Sequence, residues 1–243
     1  MIKSSFRRLF GRFYWYDCPD GFSYKGLWRR DKFHGKGVLK YKTGTIYQGN
    51  FSKGVKHGFG HLITGTGYVY RGDWSSGCRS GYAQIHYENG DSYIGEVVNG
   101  LRSGEGELHI SASGETLQGY WREDNIIGTV KIDTADWQFK GQFVAPNNSM
   151  VGEIVYADKS SYIGEMFNFR RFGNGTLTTS AGDRISGLWA NEVDVNDAKR
   201  VDRKGVIWRG TLRDLKPHSF IRIELPNGAK YDGHCEDGKI NAF

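Results

Sequence analysis

Histidine, cysteine and carboxylate side chains are the candidates for chemistry in this sequence of 243 residues. An imidazole titrating near neutrality can shuttle a proton or hold a metal, a thiolate can attack or ligate, and two close carboxylates can divide acid and base roles. Each of these needs partners gathered at one point. The seven histidines, His34, His57, His61, His86, His109, His218 and His234, are instead spread along the chain. His34, His57 and His218 occupy the same slot of a repeated unit, where an imidazole is expected to bond backbone groups. Cys18, Cys78 and Cys235 are odd in number and lack CxxC spacing, which reads as reduced thiols of an intracellular protein without a disulfide framework. Glu105, Glu107 and Glu115 fall on outward strand positions. Gly-x-Ser-x-Gly, P-loop, His-Glu-x-x-His and dinucleotide fingerprints are all missing. The sequence therefore predicts no catalytic residue, no metal site and no cofactor.

What positions these residues is a repeat. Tyr70-Arg71-Gly72-Asp73-Trp74 is one instance of a Tyr-x-Gly-x-Trp frame that also opens at Tyr24, Tyr47 and Tyr93. Aromatic or aliphatic stand-ins carry it on at Leu117, Phe139, Tyr162, Ile185, Trp208 and Tyr231, with every step between 22 and 24 residues. A fixed step of that size marks a repeat array, and no single residue can be read apart from it.

Each unit has a second half. His34-Gly35-Lys36-Gly37, His57-Gly58-Phe59-Gly60, Ser80-Gly81-Tyr82-Ala83, Ser103-Gly104-Glu105-Gly106 and Phe172-Gly173-Asn174-Gly175 each precede an apolar residue: Leu39, Leu62, Ile85, Leu108 or Leu177. Both halves have period two, so both are strands, and their closeness in sequence makes each pair an antiparallel hairpin. Tyr70, Gly72 and Trp74 share one face, while Arg71, Asp73 and Ser75 share the other. In the second strand Gly58 and Gly60 leave holes that the large rings are expected to fill, since glycine inside a strand marks a close approach.

With those residues in view, the units resemble MORN repeats, whose pattern is Tyr-x-Gly-x-Trp, a short turn with Gly, and then His-Gly-x-Gly. The resemblance covers roughly residues 20 to 240 and is strongest in the first four units. It implies an all-β fold: an elongated single-layer antiparallel sheet of about ten tandem hairpins, twisted along its axis, with a short N-terminal helical or capping segment. Residues 1–19 read as a basic leader and cap, and 20–243 as the array, degenerate near 117–160 and 188–207. Within the second degenerate stretch the polar run Glu192 to Lys204 is expected to form a long hairpin or an excursion. Pro146 to Ser149 lengthens a turn. The resemblance implies no activity of its own, and the repeats leave no room for a separate catalytic domain, so the chain is not expected to be an enzyme.

Charge is unevenly placed. Residues 1–80 hold 15 Lys and Arg against four Asp, whereas the rest of the chain is mildly acidic. In the leader, Ile2, Phe6, Leu9, Phe10 and Phe13 fall on one side of a helix, with Lys3, Arg7, Arg8 and Arg12 outside it. Three readings of this leader stand side by side: a cap over the first hairpin, an anchor to an acidic membrane or filament, and a mitochondrial presequence. Together with Arg29, Arg30, Lys53 and Lys56 it forms the expected basic surface. No apolar run approaches the length of a membrane span. No recognition motif accompanies the charge, so nucleic acid is not the expected partner.

A single-layer sheet does not cover its own aromatic face, which leaves a strip for a partner. Trp28, Tyr47, Phe51, Tyr70, Trp74, Tyr93 and Trp121 are the expected groove for a helix or extended peptide. The last unit is half a repeat, and Tyr231, Ile240 and Phe243 are expected at an open edge that pairs two copies tail to tail or docks onto a partner sheet. The leading reading is a non-catalytic scaffold or adaptor in a cytoskeletal or axonemal assembly, located in the cytoplasm, cytoskeleton or cilium. The second is a peripheral phospholipid-binding module, and the third a structural subunit in the mitochondrion.

Overall fold

The computed structural model describes residues 14–144, 149–236 and 238–240. The leader with Lys3, Arg7, Arg8 and Arg12, the lengthened turn at Pro146 and the terminal Phe243 lie outside the described residues. All regular structure described is β-strand, every pairing is antiparallel, and the chain divides into two compact units, Met1–Ile127 and Gly128–Phe243.

The first unit is a meander of ten strands: β1 (Tyr16–Asp17), β2 (Phe22–Arg29), β3 (Lys32–Tyr41), β4 (Ile46–Ser52), β5 (Val55–Ile63), β6 (Val69–Ser75), β7 (Cys78–His86), β8 (Ser92–Val98), β9 (Leu101–Ile110) and β10 (Glu115–Arg122). The short β1 pairs Tyr16 with Tyr24 and so opens the sheet with a single strand ahead of the first hairpin. The turns Lys53-Gly54, Ser76-Gly77 and Asn99-Gly100 have positive φ at both residues, the two-residue hairpin geometry that matches strand twist. Each turn glycine also donates its N–H to the preceding repeat, Gly54 to the Phe33 carbonyl, Gly77 to Lys56 and Gly100 to Arg79, at 2.9 Å in all three cases.

The Tyr-x-Gly-x-Trp frame has one local cause. Register slips by two residues between Gly26 and Trp28, Gly49 and Phe51, Gly72 and Trp74, and Gly95 and Val97, so that one residue of the first strand faces three of the second. A bulge of this kind leaves the skipped residue's carbonyl out of the ladder. The tyrosine three positions earlier satisfies it. Tyr24 donates to Leu27 O at 2.9 Å, Tyr47 to Asn50 O at 2.9 Å, Tyr70 to Asp73 O at 2.7 Å and Tyr93 to Glu96 O at 2.9 Å. Phenylalanine would fill the space and leave the carbonyl orphaned. Tyr47→Phe is therefore expected to cost about 1–3 kcal/mol, read as a lower urea midpoint with an unchanged slope.

The two glycines of Gly-x-Gly have different reasons. Gly37, Gly60 and Gly106 are the seats of the rings: a Cβ there would lie 2.7 Å from Tyr24 Cζ, 2.6 Å from Tyr47 Cζ and 2.5 Å from Tyr93 Cζ. Gly35, Gly58 and Gly104 are not ring seats. They hold φ of +61°, +66° and +62°, a conformation that costs other L-residues roughly 1–2 kcal/mol, and a Cβ on Gly58 or Gly104 would meet Asn50 or Glu96 on the opposite face. The expected pair of holes is thus one hole and one backbone kink.

The second unit takes β11 (Asn125–Asp133) through its Thr129–Asp133 pairing with β12 (Trp137–Val144), then β13 (Ser149–Tyr156), β14 (Ser161–Phe167), β15 (Arg170–Thr178), β16 (Arg184–Trp189), β17 (Val195–Val201), β18 (Ile207–Arg213), β19 (Lys216–Glu224), β20 (Lys230–Glu236) and β21 (Lys239–Ile240). Tyr162 repeats the bulge bond, donating to Glu165 O at 2.9 Å. The polar run after Trp189 stays in the sheet as β17 and is not an excursion. Val195 and Ala198 are buried there, a register shift with positive φ at Asp197 lets both face inward, and Arg200 Nη2 reaches Asp183 Oδ2 at 2.6 Å. Tyr231 lies within the ladder, opposite Ile223, and Ile240 pairs with Cys235.

Burial raises the phenols of Tyr24, Tyr47, Tyr70 and Tyr162 above their ordinary value of 10.0, and that of Tyr93 to about 12. The stability tied to these neutral phenols is complete below pH 10 and is lost as pH rises through the folded values, because the unfolded chain ionises first. The urea midpoint is expected to fall steeply from about pH 10 upward, and the phenolate absorbance of the five to appear only together with unfolding. Their smooth titration in a folded chain would contradict the packing.

Candidate functional site

In the first unit the aromatic face is closed by its own side chains. Trp74 meets Tyr47 and Tyr70 edge-on at 5.1 and 5.3 Å, Phe51 meets Tyr24 and Tyr47 at 5.3 and 5.1 Å, and Trp121 meets Tyr93 at 5.9 Å. Each ring bridges neighbouring repeats in the T-shaped geometry that aromatic quadrupoles prefer. Over them lies a row of cations. Lys56 Nζ stands 4.8 Å from the Trp74 ring, Arg79 5.8 Å from Tyr70, and Arg102 4.3 Å from Trp121. Arg102 is fixed in turn by Asp124, at 3.1 Å. The second unit repeats the device with Arg171 over Trp189 at 5.1 Å, held by Glu192 at 2.8 Å.

This corrects two expectations. Tyr47, Phe51, Tyr70, Trp74, Tyr93 and Trp121 are at most 5% exposed, and Trp28 is half-buried, so these rings pack on one another and do not form an open strip. Lys56 is not on the outward face with Lys25. It covers three rings of the aromatic face, where burial, and then the nearby Arg79, lower its pKa. Arg29, Arg30 and Lys53 are exposed where expected, at the hairpin turns β2–β3 and β4–β5.

The histidines are not gathered. His34, His57 and His218 fall inside second strands, and the buried His218 Nδ1 has no hydrogen-bond partner among the described residues. No group of three His, Cys, Asp or Glu side chains able to hold a metal occurs among the described residues. Cys18 is half-buried, Cys78 exposed and Cys235 buried.

The open surface is the opposite face. Cross-strand pairs put Lys36 beside Asn50, Phe59 beside Asp73, Tyr82 beside Glu96 and Glu105 beside Tyr120, so these residues form one row across the strands. Phe59, Tyr82 and Tyr120 are 56%, 57% and 53% exposed. A parallel row runs Lys25, Val38, Gln48, His61 and Arg71. Between the two, over β2 to β6, lies a groove of about 820 Å³ with Leu27, Val38 and Phe59 as its apolar lining. Burial, and secondarily Arg71, lower the His61 pKa. Sequence reading passed over Phe59 and Tyr82 as spacers of the Gly-x-Gly pattern. The signal was there: a large ring on the face opposite the tyrosines has no intramolecular ring to pack on.

The MORN repeat family model matches residues 24–46, 47–67, 70–92 and 93–111. Comparison with curated proteins finds no match. Among solved structures, the TCP10 domain of Danio rerio CPAP in complex with a peptide of STIL aligns over 91% of this chain and 99% of that one, at 14% identity and a TM-score of 0.44. The TCP domain of Drosophila melanogaster SAS-4 in complex with a proline-rich motif of Ana2 aligns over 74% and 85%, at 11% identity and a TM-score of 0.29. A streptogramin B lyase aligns over 92% and 68%, at 12% identity and a TM-score of 0.15. Likeness at this level is no guide to function. The four matched units, each a hairpin whose tyrosine bonds the bulge carbonyl three residues on, make this chain a MORN-repeat protein.

Proposed function

We propose that the chain is a non-catalytic scaffold that docks a helical or extended protein segment on the outward face of its first unit, within a cytoskeletal or axonemal assembly. The observation that supports this is the exposed row of Phe59 on β5, Tyr82 on β7 and Tyr120 on β10, each ring more than half open to solvent. Strands about 4.8 Å apart put Phe59 on β5 and Tyr82 on β7 roughly 10 Å from each other. Two turns of a helix or three residues of an extended chain span the same distance.

Proximity labelling and pull-down from native cells, comparing the intact chain with a Phe59→Ser, Tyr82→Ser double variant, test this reading. Both positions are exposed, so the melting curve is expected to stay where it is. Filament-associated proteins are expected in the intact catch and at least severalfold depleted in the variant. An unchanged catch overturns the reading. Phospholipid binding is the second reading, supported by Arg29, Arg30 and Lys53 at the turns. It predicts instead salt-sensitive flotation with anionic liposomes that the double variant leaves intact.

A further inference from the structure

The groove over β2 to β6 carries a one-sided charge. Lys25, Lys36 and Arg71 line it, no carboxylate does, and none of the three makes an ion pair among the described residues. Its floor is the backbone of Gly26, Gly37 and Gly49, with Leu27, Val38 and Phe59 as apolar walls. Past Phe59 the same face changes sign, with Asp73, Glu96 and Glu105 following in the ring-bearing row. Resting on the docking reading above, we infer that this groove binds the acidic stretch of a protein segment, with carboxylates over Lys25, Lys36 and Arg71 and an apolar side chain seated against Leu27, Val38 and Phe59.

The change of sign selects the class of partner. An anionic membrane or a nucleic-acid backbone laid along this face would bring its charge against Asp73, Glu96 and Glu105. A peptide can match both halves, acidic over β2 to β6 and neutral or basic beyond. Complementary potentials of this kind fix register as well as partner choice.

The test uses the full chain and a fluorescent synthetic peptide in which Glu alternates with Leu around one Phe, followed by anisotropy. A Lys/Leu peptide of equal length, phosphatidylserine vesicles and single-stranded RNA run as parallel arms. The acidic peptide is expected to bind the intact chain, and a Lys36→Glu, Arg71→Glu double variant to weaken it by about tenfold or more. The Lys/Leu peptide is expected to gain on that variant. A melting curve of the variant separates loss of charge from loss of fold, and a single Arg71→Gln variant gives a milder reading if the double one melts early. No binding of the acidic peptide, equal binding by both proteins, or uptake of vesicles or RNA in its place overturns the inference. If Phe59→Ser, Tyr82→Ser loses the cellular partner while Lys36→Glu, Arg71→Glu keeps it, the docking face stands and the acidic chemistry fails. If both variants keep the partner, both readings fail.

Discussion

Gly60→Val is expected to unfold the middle of the first unit. The backbone of Gly60 is not left-handed, so the whole effect is spatial: a Cβ there would lie 2.6 Å from Tyr47 Cζ, inside the space the ring occupies. Displacing the ring also breaks the Tyr47 bond to the Asn50 carbonyl at the bulge. Overpacking and a lost buried hydrogen bond together cost roughly 3–5 kcal/mol, or a fall of about 10–15 °C in Tm. Ala83 occupies the corresponding place beside Tyr70, so Gly60→Ala is expected to fall between wild type and valine. Gly58→Ala serves as the contrast. It leaves the ring seat alone and costs only the left-handed strain of about 1–2 kcal/mol. A melting series that ranked Gly58→Ala below Gly60→Val would reverse the assignment of the two glycines.

Trp74→Ala is the second large effect. The indole is 5% exposed, wedged between Tyr47 and Tyr70 and covered by Lys56. Removing it leaves a void that the flanking strands cannot close, because each is held in register by its own bulge bond. The expected cost is roughly 3–5 kcal/mol. Phe51 and Val97 fill the same slot in neighbouring repeats, so Trp74→Phe is expected to retain most of the stability. Repeat arrays transmit such damage only to neighbours. Hydrogen exchange should therefore quicken first in β4 to β7, with β14 to β20 unchanged. Uniform loss of protection along the chain would show a cooperativity that nearest-neighbour packing does not supply.

The array was legible because its cause is local. A tyrosine that must reach the carbonyl three residues on, past a glycine, writes the same five-letter frame each time the bulge recurs. Where Leu117 or Ile185 replaces tyrosine the bond is gone and the frame survives only as spacing. The run after Trp189 left a hairpin and an excursion both open because Val195 and Ala198 replace the glycine pair, and small apolar residues separated by a bulge leave no period-two trace; the structure forms the hairpin. The site was harder to see. Bulk placed the rings of the Tyr-x-Gly-x-Trp frame on one face, yet bulk does not say whether the rings cover one another; Lys56, Arg79 and Arg102, three residues that look like ordinary surface charge, complete that cover. Phe59 and Tyr82, set between small residues, read as filler until the opposite face was in view.

Oxidative footprinting of the free chain tests the central claim most directly, since it asks which face is open. Phe59, Tyr82 and Tyr120 are predicted to be modified fast, and Tyr24, Tyr47, Tyr70, Tyr93, Trp74 and Trp121 to be protected until the chain unfolds. Rapid modification of Trp74 and Tyr70 with protection of Phe59 and Tyr82 would contradict the account and return the partner to the aromatic face.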